Sequence, residues 1–248
     1  MKTREEGSPT ARNGFKNEDY VIEKFNHWTD DKTAQAWLEA MKYKIEEIEE
    51  VKAIKISGYK TDVQVQVTIK LKEAIDAENL QIKLVSNPQG FNQIDKRKID
   101  KYAEMWDIPQ DVLSVLRRYT GEEKPDIPNP RDKRRMFADE FSKQEIETTL
   151  QWLNKNKTLI VSDILRGQGK FAAEWMLVIQ RTNEKEIWAL KPINYCMNYF
   201  GSGDFTITSR GNFKIGRITM QRKGGDAGRS SANMLQFKIN PAELLTIL

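Results

Sequence analysis

Residues 61–72 read Thr61-Asp62-Val63-Gln64-Val65-Gln66-Val67-Thr68-Ile69-Lys70-Leu71-Lys72, and Leu80-Gln81-Ile82-Lys83-Leu84-Val85 follows a short break. In the first run Val63, Val65, Val67, Ile69 and Leu71 alternate with polar residues. Strict alternation predicts a strand with one buried face. The second run repeats the pattern. Gln81 and Lys83 are two residues apart, so on a strand they share a face, roughly 7 Å apart along it. If the two strands pair as a hairpin, Asp62 lies near both. A carboxylate, a second oxygen ligand and a lysine on adjacent strands suit metal-assisted cleavage of a phosphodiester. A half-solvated sheet face explains the same residues, and from these residues alone both readings stay open.

Working outward, residues 14–26 predict an amphipathic helix with Phe15, Val21, Ile22 and Phe25 on its apolar side and Asn13 as its cap. Ala34, Trp37, Met41, Ile45 and Ile48 predict a second helix over 32–50. Strands are expected at 51–57, 62–72 and 80–85, with a turn at Gly58-Tyr59. A Pro/Gly loop at 86–90 leads to Phe91-Asn92-Gln93-Ile94-Asp95, then to helices at 96–106 and 109–119. Ser142 and Glu145 form a capping box that opens another helix. The remainder predicts strands at 173–180, 186–190, 204–208, 214–221 and 233–239 and a last short helix at 241–247. Helices, a sheet, helices and more strands imply an α/β class with a mixed central sheet flanked by helices. We read residues 1–248 as a single domain, with the proline-rich segment 121–134 as a long surface loop or lobe boundary.

Composition narrows the classes. The 248 residues suffice for a sizeable core. Forty Lys and Arg against 36 Asp and Glu give a net +4 and a pI near 8.9, which permits a nucleic-acid partner without demanding one. Cys196 is the one cysteine, so the chain has no disulfide framework and no Cys-based zinc site. His27 is the one histidine. It follows a predicted helix end, where a surface or capping role is expected and a catalytic one is not. The charged N-terminus and the lack of a long apolar run predict a soluble, intracellular protein with no membrane partner.

Three further segments carry charge or glycine where a phosphate could meet them. Gln221-Arg222-Lys223-Gly224-Gly225-Asp226-Ala227-Gly228-Arg229 lies between strand-like runs, with Asn233 and Gln236 beyond it. Glycines allow close backbone approach, and Arg or Lys can meet phosphate or guanine N7 and O6. A hairpin turn with solvated charges explains it equally. Arg166-Gly167-Gln168-Gly169-Lys170 has the same character but lacks the Walker A spacing. Lys133-Arg134-Arg135 is a short basic cluster, explained equally by a solvated face. Phe91 is either core packing or a wedge against stacked bases. In the second case Gln93 and Lys96 reach base edges, while Lys133 only positions the backbone.

The Asp62, Gln81, Lys83 pattern resembles the PD-(D/E)xK nucleases in variant form, with Thr61 where proline is usual and Gln81 where an acid is usual. Nucleases of this class often place a first-helix acid near the metal. Glu18, in Gly14-Phe15-Lys16-Asn17-Glu18, is that candidate, and a helical glutamate facing water is the other reading. Taken with Ser57-Gly58-Tyr59-Lys60, Gln81–Asn87, Gly90–Lys96, Asp132–Phe137, Asp163–Gly167, Phe171–Trp175, Ser202-Gly203-Asp204 and Gln221–Asp226, the chain resembles the HinP-type restriction endonucleases over nearly its whole length, in order. Glutamine at 81 and a hydroxyl residue at 61 then fit the group.

The resemblance implies a PD-(D/E)xK core and Mg²⁺ dependence. Metal ligands would come from Asp62, the Gln81 side chain and the Ile82 carbonyl, with Lys83 on the scissile phosphate. It implies cleavage of double-stranded DNA after the first G of GCGC, leaving a two-base 5′ overhang. DNA contacts would come from Phe91, Asn92, Gln93, Asp95 and Lys96, and from the C-terminal strands through Gln221, Arg222, Lys223, Arg229 and Gln236. Lys133, Arg134, Arg166 and Asp204 complete the candidate DNA surface. A bacterial cytoplasmic setting and a methyltransferase protecting the same site follow. The palindromic target requires two active sites, as in a homodimer, or one acting twice. The reading from another class is a sequence-specific DNA-binding protein whose nuclease site has decayed, motivated by Gln81. A structure-specific repair nuclease is the third.

Overall fold

The computed structural model describes residues 9–69, 74–181, 185–225 and 229–247. The elements run α1 (Pro9–Asn26), α2 (Lys32–Ala40), β1 (Ile48–Lys55), β2 (Val63–Ile69), β3 (Ala74–Val85), β4 (Asn92–Arg97), α3 (Ile99–Trp106), α4 (Gln110–Thr120), α5 (Lys143–Lys155) and α6 (Lys157–Leu165). Then follow β5 (Trp175–Arg181), β6 (Glu186–Pro192), α7 (Ile193–Gly201), β7 (Phe205–Ile207), β8 (Phe213–Ile215), β9 (Ile218–Arg222) and β10 (Leu235–Ile239). Short 3₁₀ turns punctuate them, the last at Pro241–Thr246. Among the described residues no helix is long and apolar enough to cross a membrane. The expected α/β class with a mixed central sheet flanked by helices holds.

The chain divides into two compact units. The first comprises residues 1–90, 166–195 and 241–248; the second comprises 91–165 and 196–240. The proline-rich segment 121–134 falls inside the second unit, and the chain crosses between units at 90/91, 165/166, 195/196 and 240/241.

In the first unit five strands form a sheet in the order β1-β2-β3-β5-β6. All neighbours are antiparallel except β3 and β5, which run parallel with Gln81 opposite Met176 and Lys83 opposite Val178. The alternation of β2 does what its pattern predicts: Val63, Val65 and Val67 are fully buried. They pack with Leu80, Ile82, Leu177 and Ile179 of the sheet against Val21 and Phe25 of α1 and Trp37 and Leu38 of α2. Phe25 and Trp37 meet at 5.3 Å between ring centroids. Lys70, Leu71 and Lys72 of the expected strand lie outside the described residues.

In the second unit five strands form an antiparallel sheet in the order β4-β10-β9-β8-β7. Phe237 of β10 packs edge-on against Tyr102 and Trp106 of α3, and Phe213 of β8 against Tyr119 of α4.

Four expectations about local structure are corrected. The helix expected over 32–50 ends at Ala40, and residues 48–55 are β1. Lys42 takes a left-handed conformation (φ 75°), and Tyr43 N–H returns to the Leu38 carbonyl at 3.0 Å, which closes the helix without a glycine. Ile45 and Ile48 continue the helical spacing by coincidence. The helix expected from 96 begins only at Ile99, because residues 92–97 add to β10 as a strand. The strand expected over 214–221 is two, β8 and β9, joined at Gly216-Arg217, with Gly216 at φ 50°. Asn13 is not a cap, since α1 already runs at Pro9.

The Ser142 capping box is present as expected. Ser142 N–H donates to Glu145 Oε2 at 2.9 Å, and Glu145 N–H donates to Ser142 Oγ. Arg118 adds a bond to the same glutamate, 2.6 Å from Nη2 to Oε1. Ser142→Ala is expected to lower unfolding free energy by about 1 kcal/mol in urea melts, the ordinary worth of an N-cap. Glu145→Ala is expected to cost more, because it also strips a partner from the largely buried Arg118.

Candidate active site

Asp62 stands where two strands part. Val63 pairs with Leu80 as the last rung between β2 and β3, and Asp62 N–H donates to the Leu80 carbonyl at 2.9 Å. On the other side Ile56 N–H donates to the Asp62 carbonyl at 3.0 Å. Beyond Leu80, β3 continues to Val85 with β5 alone as its strand partner. Ile82 N–H, which would have met another rung of β2, instead donates to Asp62 Oδ2 at 2.6 Å. In a strand the N–H and C=O of one residue point to the same side, so the Ile82 carbonyl faces the side on which Asp62 sits.

Lys83 Nζ stands 4.0 Å from Asp62 Oδ2, and both side chains are only partly exposed. Gln81 is 2% exposed, and its Oε1 is buried with no hydrogen-bond partner. An unsatisfied buried polar atom costs about 1–3 kcal/mol. Such an oxygen is what a hard divalent cation would satisfy. Among the described residues no cluster of three His, Cys, Asp or Glu side chains could hold a metal. The groups that could hold one are instead the Asp62 carboxylate, the Gln81 amide oxygen and the Ile82 carbonyl, all oxygens, a set that would suit Mg²⁺.

Thr61, where proline was the usual residue, is fully buried, and its Oγ1 donates to the Phe171 carbonyl at 2.9 Å. Glu18 lies on α1 with its carboxylate 2.9 Å from Lys55 Nζ, so the structure engages it in an ion pair with β1. Cys196 is buried. His27 is exposed, with Nδ1 2.9 Å from the Glu23 carbonyl at the end of α1. Neither joins the Asp62 cluster.

The candidate DNA residues of the second unit sort by the faces of its sheet. Lys96, Gln236 and Gln221 are direct cross-strand neighbours on β4, β10 and β9. Gln236 Nε2 donates to Gln93 Oε1 at 3.2 Å, across the β4–β10 bulge. The same row system continues through Lys238 and Thr219 to Lys214 and Thr206. This face therefore carries amides, hydroxyls and three lysines. Lys238 and Thr219 were missed in the sequence, although the period of two within the expected strands 214–221 and 233–239 places them with Gln236 and Gln221; Lys214, seven residues from Gln221, reaches this face only because the chain turns between β8 and β9 and sets it opposite Thr219.

The opposite face is structural. Asp95 is buried there, accepting from Tyr102 Oη at 2.6 Å, with Arg97 Nη2 at 3.4 Å. Burial and the Asp95 charge push the Tyr102 phenol well above its ordinary range, so it stays a neutral donor. Arg222 is committed to the Thr120 carbonyl through Nε (2.8 Å) and to Asn233 Oδ1 through Nη2 (2.8 Å). Asn233 itself donates to the Gly121 carbonyl, which uses its amide internally. Burial, then the nearby Arg134 and Arg135, lower the Arg222 pKa.

Arg134 is held two-pronged by Asp132 at 2.9 Å for both bonds, while Lys133, Arg166 and Arg229 are exposed. Asp204 pairs with Lys157 at 2.7 Å. Phe91 is 51% exposed, which removes core packing as its explanation, and Asn92 opens β4 behind it. Lys223 N–H donates to the Met234 carbonyl, and Asp226, Ala227 and Gly228 lie outside the described residues.

No curated protein matches the sequence. A crystal structure of the restriction endonuclease MspI in complex with its cognate DNA superposes with a TM-score of 0.62 at 14% identity, covering 93% of each chain. At that identity the likeness shows a shared fold. The family model of the R.HinP1I restriction endonuclease matches residues 41–245, which takes in Asp62, Gln81, Lys83 and all ten strands. The chain belongs to the R.HinP1I restriction endonuclease family and is a type II site-specific nuclease.

Proposed function

We propose that this protein cleaves double-stranded DNA at GCGC, after the first G, leaving a two-base 5′ overhang, in a reaction dependent on Mg²⁺. The observation that carries the cutting centre is the meeting of Asp62, Ile82, Gln81 and Lys83 where β2 and β3 separate. Asp62, the orphaned Gln81 oxygen and the Ile82 carbonyl would hold the cation. When bound, Mg²⁺ lowers the pKa of a coordinated water and offsets charge on the phosphate. Lys83 contributes a fixed positive charge beside Asp62, positioned to stabilise the extra negative charge that develops as water adds to phosphorus and the sugar oxygen leaves. The Ile82 N–H holds the Asp62 carboxylate in one orientation, so the carboxylate need not reorganise as the reaction proceeds. The site residues form a PD-(D/E)xK centre with glutamine in the second acidic position.

Double-stranded DNA is the partner that the polar face of the second sheet suits. Lysine meets guanine O6 and N7, and glutamine amides supply a donor and an acceptor to base edges. The exposed Phe91 at the start of that unit fits a wedge between base pairs. The target sequence is that of the nucleases the chain resembles. A methyltransferase of the same specificity would protect the host's own sites. MspI is seen with its cognate DNA, and the shared fold supports the same class of ligand here.

Run-off sequencing of plasmid digested in Mg²⁺ tests the reading. It is expected to show ends mapping after the first G of every GCGC, and cuts at another sequence would overturn the specificity. The ligand role of Gln81 has its own test. An amide is a weaker ligand than a carboxylate, so Gln81→Ala is expected to shift the Mg²⁺ concentration for half-maximal cleavage upward, and Gln81→Glu to hold or lower it. Superimposable titrations for wild type and Gln81→Ala would remove this side chain from the ligand set.

A further inference from the structure

The segment Arg166–Phe171 is fastened to the catalytic strands at both metal-donor positions. The Thr61 hydroxyl, on the residue before Asp62, donates to the Phe171 carbonyl at 2.9 Å. The Asn79 amide, two residues before Gln81 on the same face of β3, donates to the Lys170 carbonyl at 3.1 Å. Asn79 is held in turn by Gln64, whose Nε2 donates to Asn79 Oδ1 at 3.0 Å. Thr61 is fully buried and Asn79 nearly so. The Phe171 ring lies 4.6 Å from that of Tyr59, between centroids.

The loop backbone needs glycine at 167 twice over. Its φ is +77°, and a Cβ would sit 2.4 Å from Lys60 Cγ. Ala173 N–H to the Arg166 carbonyl (2.8 Å) and Ala172 N–H to the Gly169 carbonyl (3.0 Å) close the loop. Glu174, just beyond the loop, accepts from Asn79 N–H at 2.9 Å. Arg166 and Lys170 are exposed, and among the described residues no carboxylate pairs with either.

A loop clamped by buried side chains to the residues flanking the proposed cutting centre presents two exposed cations, Arg166 and Lys170, the second with its Nζ 5.0 Å from the centre of the Phe171 ring and neither neutralised by an acid among the described residues. We propose that Arg166 and Lys170 grip phosphates of the DNA strand being cut, and that Thr61 and Asn79 are positioning residues that hold this strap to Asp62 and Gln81. The proposal rests on the nuclease reading. It also gives the hydroxyl at 61 a purpose that proline there would not serve.

Equilibrium binding to a GCGC duplex in Ca²⁺ across a salt series, with single-turnover cleavage in Mg²⁺, tests it. Each phosphate contact contributes about 0.9 to the slope of log affinity against log salt. The Arg166→Ala/Lys170→Ala double variant is expected to flatten the slope by about 1.8 and to weaken GCGC and random duplexes alike. Thr61→Val is expected to flatten it in the same direction and slow cleavage, and Thr61→Ser to restore both. A merely structural role for Thr61 would leave the slope alone. A double variant with the wild-type slope overturns the proposal, and because its substitutions are exposed it decides the matter even if Thr61→Val fails to fold. Wild-type protein that neither binds nor cuts DNA would remove the nuclease reading, and this proposal with it. Normal wild-type cutting beside an unchanged slope in the double variant removes only the strap.

Discussion

Everything at the proposed cutting centre depends on one hydrogen bond, from the Ile82 N–H to the Asp62 carboxylate. Where β2 stops pairing with β3, the sheet would leave a backbone donor unpaired in a partly buried place. Asp62 satisfies it, and that contact fixes the carboxylate beside Lys83 and on the side of the Ile82 carbonyl. The apolar face of the same strands supplies the rigidity. Val63 and Leu80, the last paired residues before the parting, are both fully buried under α1 and α2. The packing that stabilises the sheet therefore also holds the site geometry, and a cavity cut at either residue acts on both.

The sheet's polar side extends this order away from Asp62. Gln66 donates to Gln64, Gln64 to Asn79, and Asn79 to the backbone of Lys170. A row of amides that satisfy one another is expensive to break, because each loss leaves a buried group unpaired. In the second unit the same division recurs with the roles of the faces kept apart. Aromatic packing around Tyr102, Trp106 and Phe237 takes one side, and amides with lysines take the other.

Much of this was legible in the sequence. A period of two marked β2 and the end of β3, and with them the approach of Asp62 to Lys83. The capping box at Ser142 marked the start of α5. The illegible parts have physical reasons. Lys42 ends α2 in a left-handed conformation that a sequence pattern expects of glycine. Lys96 and Arg97 read as the start of a charged helix and instead end β4, because β10 pairs with them. Asp95 looks like a surface acid, yet its fate is decided by Tyr102 seven residues on, a contact that β4 and α3 create only after folding. Glu18 could be placed on its helix, but its partner Lys55 depended on the packing of α1 on β1. Thr61 looked like a mild departure from a pattern, and its bond to Phe171 spans more than a hundred residues of chain.

The central claim is that the Asp62 carboxylate, held by Ile82 N–H, is the heart of a metal-dependent cutting centre. Cleavage of a GCGC plasmid in Mg²⁺ by Asp62→Ala, measured beside its affinity for the same duplex in Ca²⁺, addresses it most directly. The account predicts no cleavage with site-specific binding retained. Cleavage at the wild-type rate would contradict it.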